Sequence, residues 1–142
     1  MKTSECKNCN CLYFSANAFA RKVEKLASET WKKVGLAPSH ATLLGVVLAE
    51  PGLQAGQIAA QMQLTPSTIT RLLEKLEEKK LVIRNTDGKM TNVYPTQKAK
   101  DLKPLMKQCM DEFNEKYTKI LGKEESKHFI QNMNIMADKL GS

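Results

Sequence analysis

Residues 53–81 place two short helical patterns on either side of a tight turn, and this arrangement most constrains the fold. The first helix is predicted over 55–62, and residues 63–65 form the turn. Thr65 is the predicted N-cap of the second helix, and Pro66 takes the first helical position, where its missing N–H costs nothing. The second helix turns a stripe of apolar side chains inward at helical spacing: Ile69, Leu72, Leu73 and Leu76.

A hairpin follows this pair of helices. The helical period ends after Leu81, and the segments VIRNT and TNVYP flank Asp87-Gly88. Asp-Gly between residues that favour strands is a strong hairpin signal. The sequence therefore predicts a small two-stranded wing over 82–95, next to a helix-turn-helix over 55–79. Together these elements make a winged helix-turn-helix within a lobe that spans 39–96.

Longer helical patterns flank this lobe. An amphipathic stripe covers 12–34 and ends at Gly35, and Ser39 is the predicted cap of a shorter, more apolar helix that should be buried. The stripe returns over 97–140, where Pro104 either kinks the helix or marks its true start, and Gly122 is predicted to divide the region into two helices. The fold class is therefore mainly α.

The flanking helices carry more apolar side chains than a three-helix headpiece can cover. Their aromatic and methionine stripe is either an intrachain core or a seam between subunits. Because the two long regions lack a third element of their own to pack on, we favour a homodimer seam. The aromatic and methionine stripe comprises Phe113, Phe129, Met133 and Met136. We expect the 142 residues to form a single domain whose dimerisation helices are 12–34 and 97–140.

The charge balance favours an anionic partner. The chain has 22 Lys and Arg against 15 Asp and Glu, a formal net charge of +7. Double-stranded DNA is one such partner, and a merely basic protein is the alternative. No apolar run approaches the roughly 20 residues of a membrane helix, and the N-terminus lacks the apolar stretch of a signal peptide. We expect a cytoplasmic location and no membrane partner.

The second helix of the helix-turn-helix is the predicted reader of the major groove, because its first turns carry small polar and basic side chains. Arg71 is the residue best able to contact guanine, whereas Lys75 is expected at a phosphate. Glu74 and its neighbours would repel phosphate unless they point away, so a protein-binding module is the alternative. The predicted DNA contacts are Thr65, Pro66, Ser67, Thr68, Thr70, Arg71 and Lys75, with Arg84 and Lys89 on the wing.

The segment LQAGQIAAQMQLTPSTITRLLEKLEEKKLV resembles the central block of the MarR (multiple antibiotic resistance regulator) family. The resemblance implies an obligate homodimer that reads a pseudo-palindromic operator. It also implies major-groove contacts at Ser67, Thr68, Thr70 and Arg71. The sequence departs from the family pattern at the wing, which is shortened and carries Lys89 in place of arginine. It departs again where lysine stands at position 80 in place of glycine.

A cluster of cysteines precedes the first long helix. Cys6, Cys9 and Cys11 form a C-x2-C-x-C motif. Three interpretations remain open: a zinc site, a thiol redox sensor, and a tail with no role. Cys109 could supply a fourth ligand to zinc, but its place on an apolar stripe favours a small buried residue.

The resemblance also implies a crevice for a small aromatic effector. The candidate lining residues are Trp31, His40, Tyr13 and Tyr117, and core packing is the alternative for Trp31. The two histidines, and the lack of a nucleophile motif or a Gly-rich loop, exclude a recognisable enzyme. We expect a repressor released by a small-molecule or a thiol or metal signal. A cysteine-based module that uses its winged helix for protein contacts is the alternative.

Overall fold

The computed structural model describes residues 1–141, which form six α-helices and a three-stranded antiparallel sheet. Short 3-10 turns precede the first helix at Thr3–Glu5 and follow it at Lys32–Val34. No helix within this part of the chain is long and apolar enough to cross a membrane. In chain order the elements are α1 (Leu12–Trp31), α2 (Pro38–Ala49), β1 (Leu53–Gln54), α3 (Ala55–Met62), α4 (Pro66–Glu78), β2 (Val82–Asp87), β3 (Met90–Pro95), α5 (Gln97–Leu121) and α6 (Lys123–Leu140).

The connection between α1 and α2 depends on a glycine and a proline. Gly35 adopts the left-handed conformation with φ 77°, which stops the first helical region where the sequence predicts. The predicted cap at Ser39 is wrong, because α2 begins one residue earlier at Pro38 and its N-cap is Ala37. The fixed φ of proline suits the first helical position, so Pro38 begins this helix.

The helix-turn-helix is closed by backbone hydrogen bonds. Gln63 takes a left-handed φ of 56°, and the Leu64 N–H donates to the Ala59 carbonyl over 3.1 Å. This bond is the signature of a Schellman motif, which satisfies the last carbonyls of a helix. The predicted N-cap role of Thr65 is confirmed, since its Oγ1 accepts a hydrogen bond from the Thr68 N–H over 3.3 Å. The turn therefore ends α3 and caps α4 within three residues.

The sheet contains the predicted wing and one strand more. Strands β2 and β3 pair in antiparallel register, with Arg84 opposite Val93. The prediction of two strands was incomplete, because β1 pairs with β3 and gives the order β1-β3-β2. Two residues are too few for an alternating pattern, so the sequence carries no strand signal at β1. The third strand anchors the wing to the start of α3.

The C-terminal end of α4 is tied to α5. Lys80 takes a left-handed φ of 60°, and the Leu81 N–H donates to the Leu76 carbonyl over 2.9 Å in a second Schellman motif. The Thr96 hydroxyl donates to the Lys80 carbonyl over 2.8 Å, and Lys98 Nζ donates to the Lys79 carbonyl over 3.0 Å. Side chains at the start of α5 thus hold the end of α4.

Helix α5 is continuous through its proline. Thr96 caps it by accepting from the Ala99 N–H over 3.2 Å, so Pro104 lies inside the helix and does not mark its start. Gly122 separates α5 from α6 with a φ of 95°. Two long helices therefore follow the wing, as the sequence predicts.

The core centres on α2, which contacts α1, α3, α4, α5 and β3. Because this helix is apolar on nearly all sides, it has to lie inside the domain, as its composition predicts. Side chains from α2, α3, α4, β3 and α5 fill the core: Leu43, Leu44, Val47, Ile58, Ile69, Leu73, Leu76, Val93 and Cys109.

Lys80→Gly should stabilise the fold. A residue with a Cβ costs about 1 kcal/mol in the left-handed region, and the greater freedom of glycine in the unfolded chain offsets part of the gain. We expect the free energy of unfolding to rise by about 0.5 kcal/mol in urea titrations. Lys79→Gly, at a negative φ of −81°, is the matched control and should lower it. If the two substitutions changed the free energy of unfolding by the same amount, the backbone of Lys80 would not be strained.

Candidate nucleic-acid interface

The solvent face of α4 is formed by short polar side chains and one arginine. Ser67, Thr70 and Arg71 are exposed, and Thr68 is half-buried. The Thr70 hydroxyl donates back to the Pro66 carbonyl over 3.0 Å, and Arg71 Nη2 lies 3.4 Å from the Thr68 Oγ1. The guanidinium is therefore positioned along the helix and keeps most of its donors free for a ligand. Such a face can approach base edges closely.

Two of the three acidic residues of α4 are paired with cations of the same lobe, and the third, Glu74, is exposed. Glu77 forms an ion pair with Arg84 on β2, and Glu78 Oε2 lies 3.8 Å from Lys75 Nζ. The side chains of the Glu77–Arg84 pair are 34% and 29% exposed, so water screens them only in part. Arg84, a predicted DNA contact, thus links the wing to α4 in this structure. The ion pair neutralises the charge of Glu77, which would otherwise repel phosphate.

The wing carries its basic residue at the tip. Gly88 takes a left-handed φ of 63°, as a tight hairpin turn requires, and Lys89 next to it is exposed. The hydroxyls of Thr86 and Thr91 lie 3.4 Å apart across the strands. Lys89 is therefore presented at the exposed end of the hairpin.

The four predicted effector residues lie in different surroundings, and the structure does not bring them together. Trp31 belongs to the core, in line with its alternative interpretation, whereas Tyr13 is 80% exposed. Tyr117 stacks edge-on against Phe113 with ring centres 5.3 Å apart. His40 lines a small cleft at the start of α2. The helical period does not distinguish these positions, because each lies on or near an apolar stripe.

The cysteine cluster does not assemble a metal site. Cys6 Sγ lies 3.8 Å from Met1 Sδ, and Cys11 is exposed. Among residues 1–141, no group of three or more His, Cys, Asp or Glu is arranged to hold a metal ion. Cys109 is fully buried and burial raises the pKa of its thiol, in line with its interpretation as a small buried residue. The thiol-redox interpretation stays a prediction.

An apolar groove of about 470 Å³ runs between α1, α5 and α6. The sequence predicts the apolar stripe of Phe113, Phe129 and Met133 that forms one side of this groove. It does not predict that α1 forms the other side. Phe19 on α1 meets Phe129 edge-on at 5.1 Å, and Met133 remains 41% exposed. The remaining apolar lining is formed by Val23, Leu26, Tyr117, Ile120, Leu121 and Ile130.

The geometry of the lobe agrees with a known family. Residues 34–89, from the end of the first helical region to the wing tip, match the model of the MarR family. Over these residues the chain is similar to proteins of the MarR family. Proteins of this family are transcriptional regulators and not enzymes, which confirms the prediction that the chain is not an enzyme.

One sequence relative agrees with this similarity. An HTH-type transcriptional repressor, MdtR of Bacillus subtilis (strain 168), is 27% identical over 78 residues, which are 55% of this chain and 50% of the relative. The match therefore spans half the length of that protein.

Solved structures share the fold over nearly the whole chain. The MepR–DNA complex of S. aureus has a TM-score of 0.79 at 23% identity and covers 91% of this chain and 97% of that one. The transcriptional repressor CouR bound to p-coumaroyl-CoA has a TM-score of 0.84 at 17% identity and covers 96% and 98%. At these identities, the likeness establishes the fold.

The Glu77–Arg84 pair should stabilise the wing against α4. Glu77→Gln and Arg84→Gln should each lower the free energy of unfolding by ~0.2–1 kcal/mol, and the double variant should lose less than the sum. Urea titration of the four proteins gives the coupling energy. The exposed pair Lys107–Asp111 on α5, at 2.9 Å, is the control and should show a smaller coupling. Strictly additive losses for Glu77 and Arg84 would show that the pair contributes nothing.

Proposed function

We propose that this protein is a homodimeric repressor that binds a pseudo-palindromic operator in duplex DNA and is released by a small-molecule or thiol signal. The observation that carries the proposal is the polar face of α4, which is exposed, capped at its N-terminus and flanked by a basic wing. A helix with these properties fits the major groove of B-DNA and reads bases through its first turns. The MepR–DNA complex, which has the same fold, supports DNA as the partner.

In this proposal Arg71 reads a base, and the wing and the end of α4 contact the backbone. Arg71 retains free guanidinium donors for the two acceptors on a guanine edge. Lys75 and Lys89 meet phosphates, because a single ammonium gives charge without a bidentate pattern. Arg84 acts through Glu77 and keeps the wing beside α4. The residues assigned to close approach at the helix start are Thr65, Pro66, Ser67, Thr68 and Thr70.

The homodimer is proposed from the apolar surface of α6. Side chains of Met136 and Leu140 are 61% and 81% exposed, and they follow Met133 of the apolar groove at helical spacing on α6. Exposed apolar side chains in such a continuous patch mark an association surface. A second copy of the chain supplies the matching face under two-fold symmetry and sets two α4 helices about 34 Å apart, one turn of DNA.

The release signal is proposed to shift the spacing of the two α4 helices. CouR bound to p-coumaroyl-CoA shows that a protein of this fold takes an aromatic ligand. For this chain, Tyr117 beside the apolar groove is the candidate contact for such a ligand. Cys6, Cys9 and Cys11 lie immediately before α1, so oxidation there acts on a dimerisation helix. Either signal favours a dimer that no longer matches the operator.

Arg71→Ala should weaken binding to the operator by ~1–3 kcal/mol and relax its sequence preference, because a bidentate base contact is lost. Lys89→Ala should weaken binding to operator and random duplex alike and reduce the salt slope by about one per subunit. The operator is first recovered by sequencing the genomic DNA that the protein retains, and affinities are then measured by fluorescence anisotropy. Equal losses on operator and random DNA for Arg71→Ala would show that Arg71 contacts phosphate only.

Met133→Arg should convert the dimer to a monomer and abolish operator binding at the same time, because a buried charge without a partner opposes the seam. Sedimentation equilibrium measures the mass, and circular dichroism checks that the helices persist. Ile83→Arg is the matched control, since Ile83 is 57% exposed on the wing and away from α6. A dimeric Met133→Arg variant that still binds its operator would overturn the proposed seam.

A further inference from the structure

A small cleft lies where the first turn of α2 meets the exposed face of α4. Its volume is about 330 Å³, and it is lined by His40 of α2 together with Thr68, Arg71, Leu72 and Lys75 of α4. His40 is half-buried, whereas Arg71 and Lys75 are exposed. An imidazole, a guanidinium and an ammonium from two helices therefore meet around one open space.

The chemistry of this cleft suits a phosphodiester. The charged neighbours that act on His40 are Lys75 and Lys79, and Arg71 shares the cleft. Among the carboxylates of α4, Glu78 Oε2 lies 3.8 Å from Lys75 Nζ and Glu74 is exposed. Within the described chain, no side chain caps the first turn of α2, and because Pro38 has no N–H, the free main-chain donors near the imidazole are those of Ser39 and His40. Cationic side chains and free N–H groups together recognise phosphate oxygens.

We propose that this cleft holds one backbone phosphate of the bound duplex and that His40 becomes protonated against it, so that DNA binding takes up a proton. The inference rests on the proposed function, since it requires α4 to lie in the major groove. It adds α2 to the DNA-binding surface and gives His40 a role separate from an effector crevice. Because Arg71 borders the same cleft, the phosphate also fixes the helix that carries the base-reading side chain.

The electrostatics fix the sign of the coupling. Burial, together with the positive charges of Lys75 and Lys79, lowers the pKa of His40 from its ordinary value of 6.5 in the free protein. A phosphate in the cleft favours the imidazolium and raises that pKa. Between the two pKa values, binding is accompanied by proton uptake. Affinity therefore increases as the pH falls through this window and levels off below the pKa of the free protein.

The test measures the affinity of a 30-base-pair duplex of mixed sequence between pH 5.5 and pH 8 at constant ionic strength. Because phosphate contacts do not depend on sequence, a generic duplex is sufficient. The parent protein should gain about 3–10-fold in affinity per subunit toward low pH, which corresponds to a pKa shift of up to one unit. His40→Gln should lose this gain. His128→Gln, at the other histidine on α6, should keep the profile of the parent.

His40→Lys is the second variant, and it is measured in case His40→Gln folds poorly. A permanent charge at this position should give tight binding at pH 8 and a salt slope about one unit steeper per subunit than that of the parent. A parent-like pH profile in His40→Gln, or an unchanged salt slope in His40→Lys, would overturn the phosphate cleft while leaving DNA binding intact. Failure of the parent protein to bind any duplex, whatever the salt concentration, would overturn the proposed function itself.

Discussion

The burial of α2 is the constraint on which the rest of the structure depends. This helix has apolar side chains around almost its whole circumference, and Leu43, Leu44 and Val47 are completely buried. Such a helix is stable only when other elements surround it. Its contacts with α1, α3, α4, α5 and β3 fix the helix-turn-helix, the wing and the long helices relative to one another. The polar face of α4 is directed to solvent because its apolar face is held against this helix.

Much of the lobe could be predicted because its signals are local. The cap at Thr65, the proline at the first position of α4 and the Asp-Gly turn at Gly88 each act through the few residues around them. The apolar period of α4 also decides which side chains are exposed, so Ser67, Thr70 and Arg71 could be named in advance. The MarR family could be recognised for the same reason, because its pattern is concentrated in this block.

What the sequence could not predict depends on contacts between distant residues. Strand β1 is too short to carry a pattern and forms only because β3 lies alongside it. The sequence does not distinguish Arg84 from other basic residues of the wing, because its ion pair with Glu77 on α4 depends on the fold. His40 has no periodicity that separates it from an effector contact, and its neighbours come from a helix almost thirty residues later. Composition likewise cannot reveal that the three N-terminal cysteines fail to converge.

The attachment of α4 to α5 makes the two ends of α4 unequal. Its C-terminal end is held by bonds from Thr96 and Lys98 to the Lys80 and Lys79 carbonyls, whereas the polar side of its first turn faces solvent. Arg71 lies eight residues from Lys79, or about 12 Å along the axis at the helical rise. A tilt of about 10° at the held end moves the arginine by roughly 2 Å, enough to break a hydrogen bond to a base. Small rearrangements among the long helices are thereby amplified at the end of α4 that is proposed to contact DNA, without any change in the helix itself.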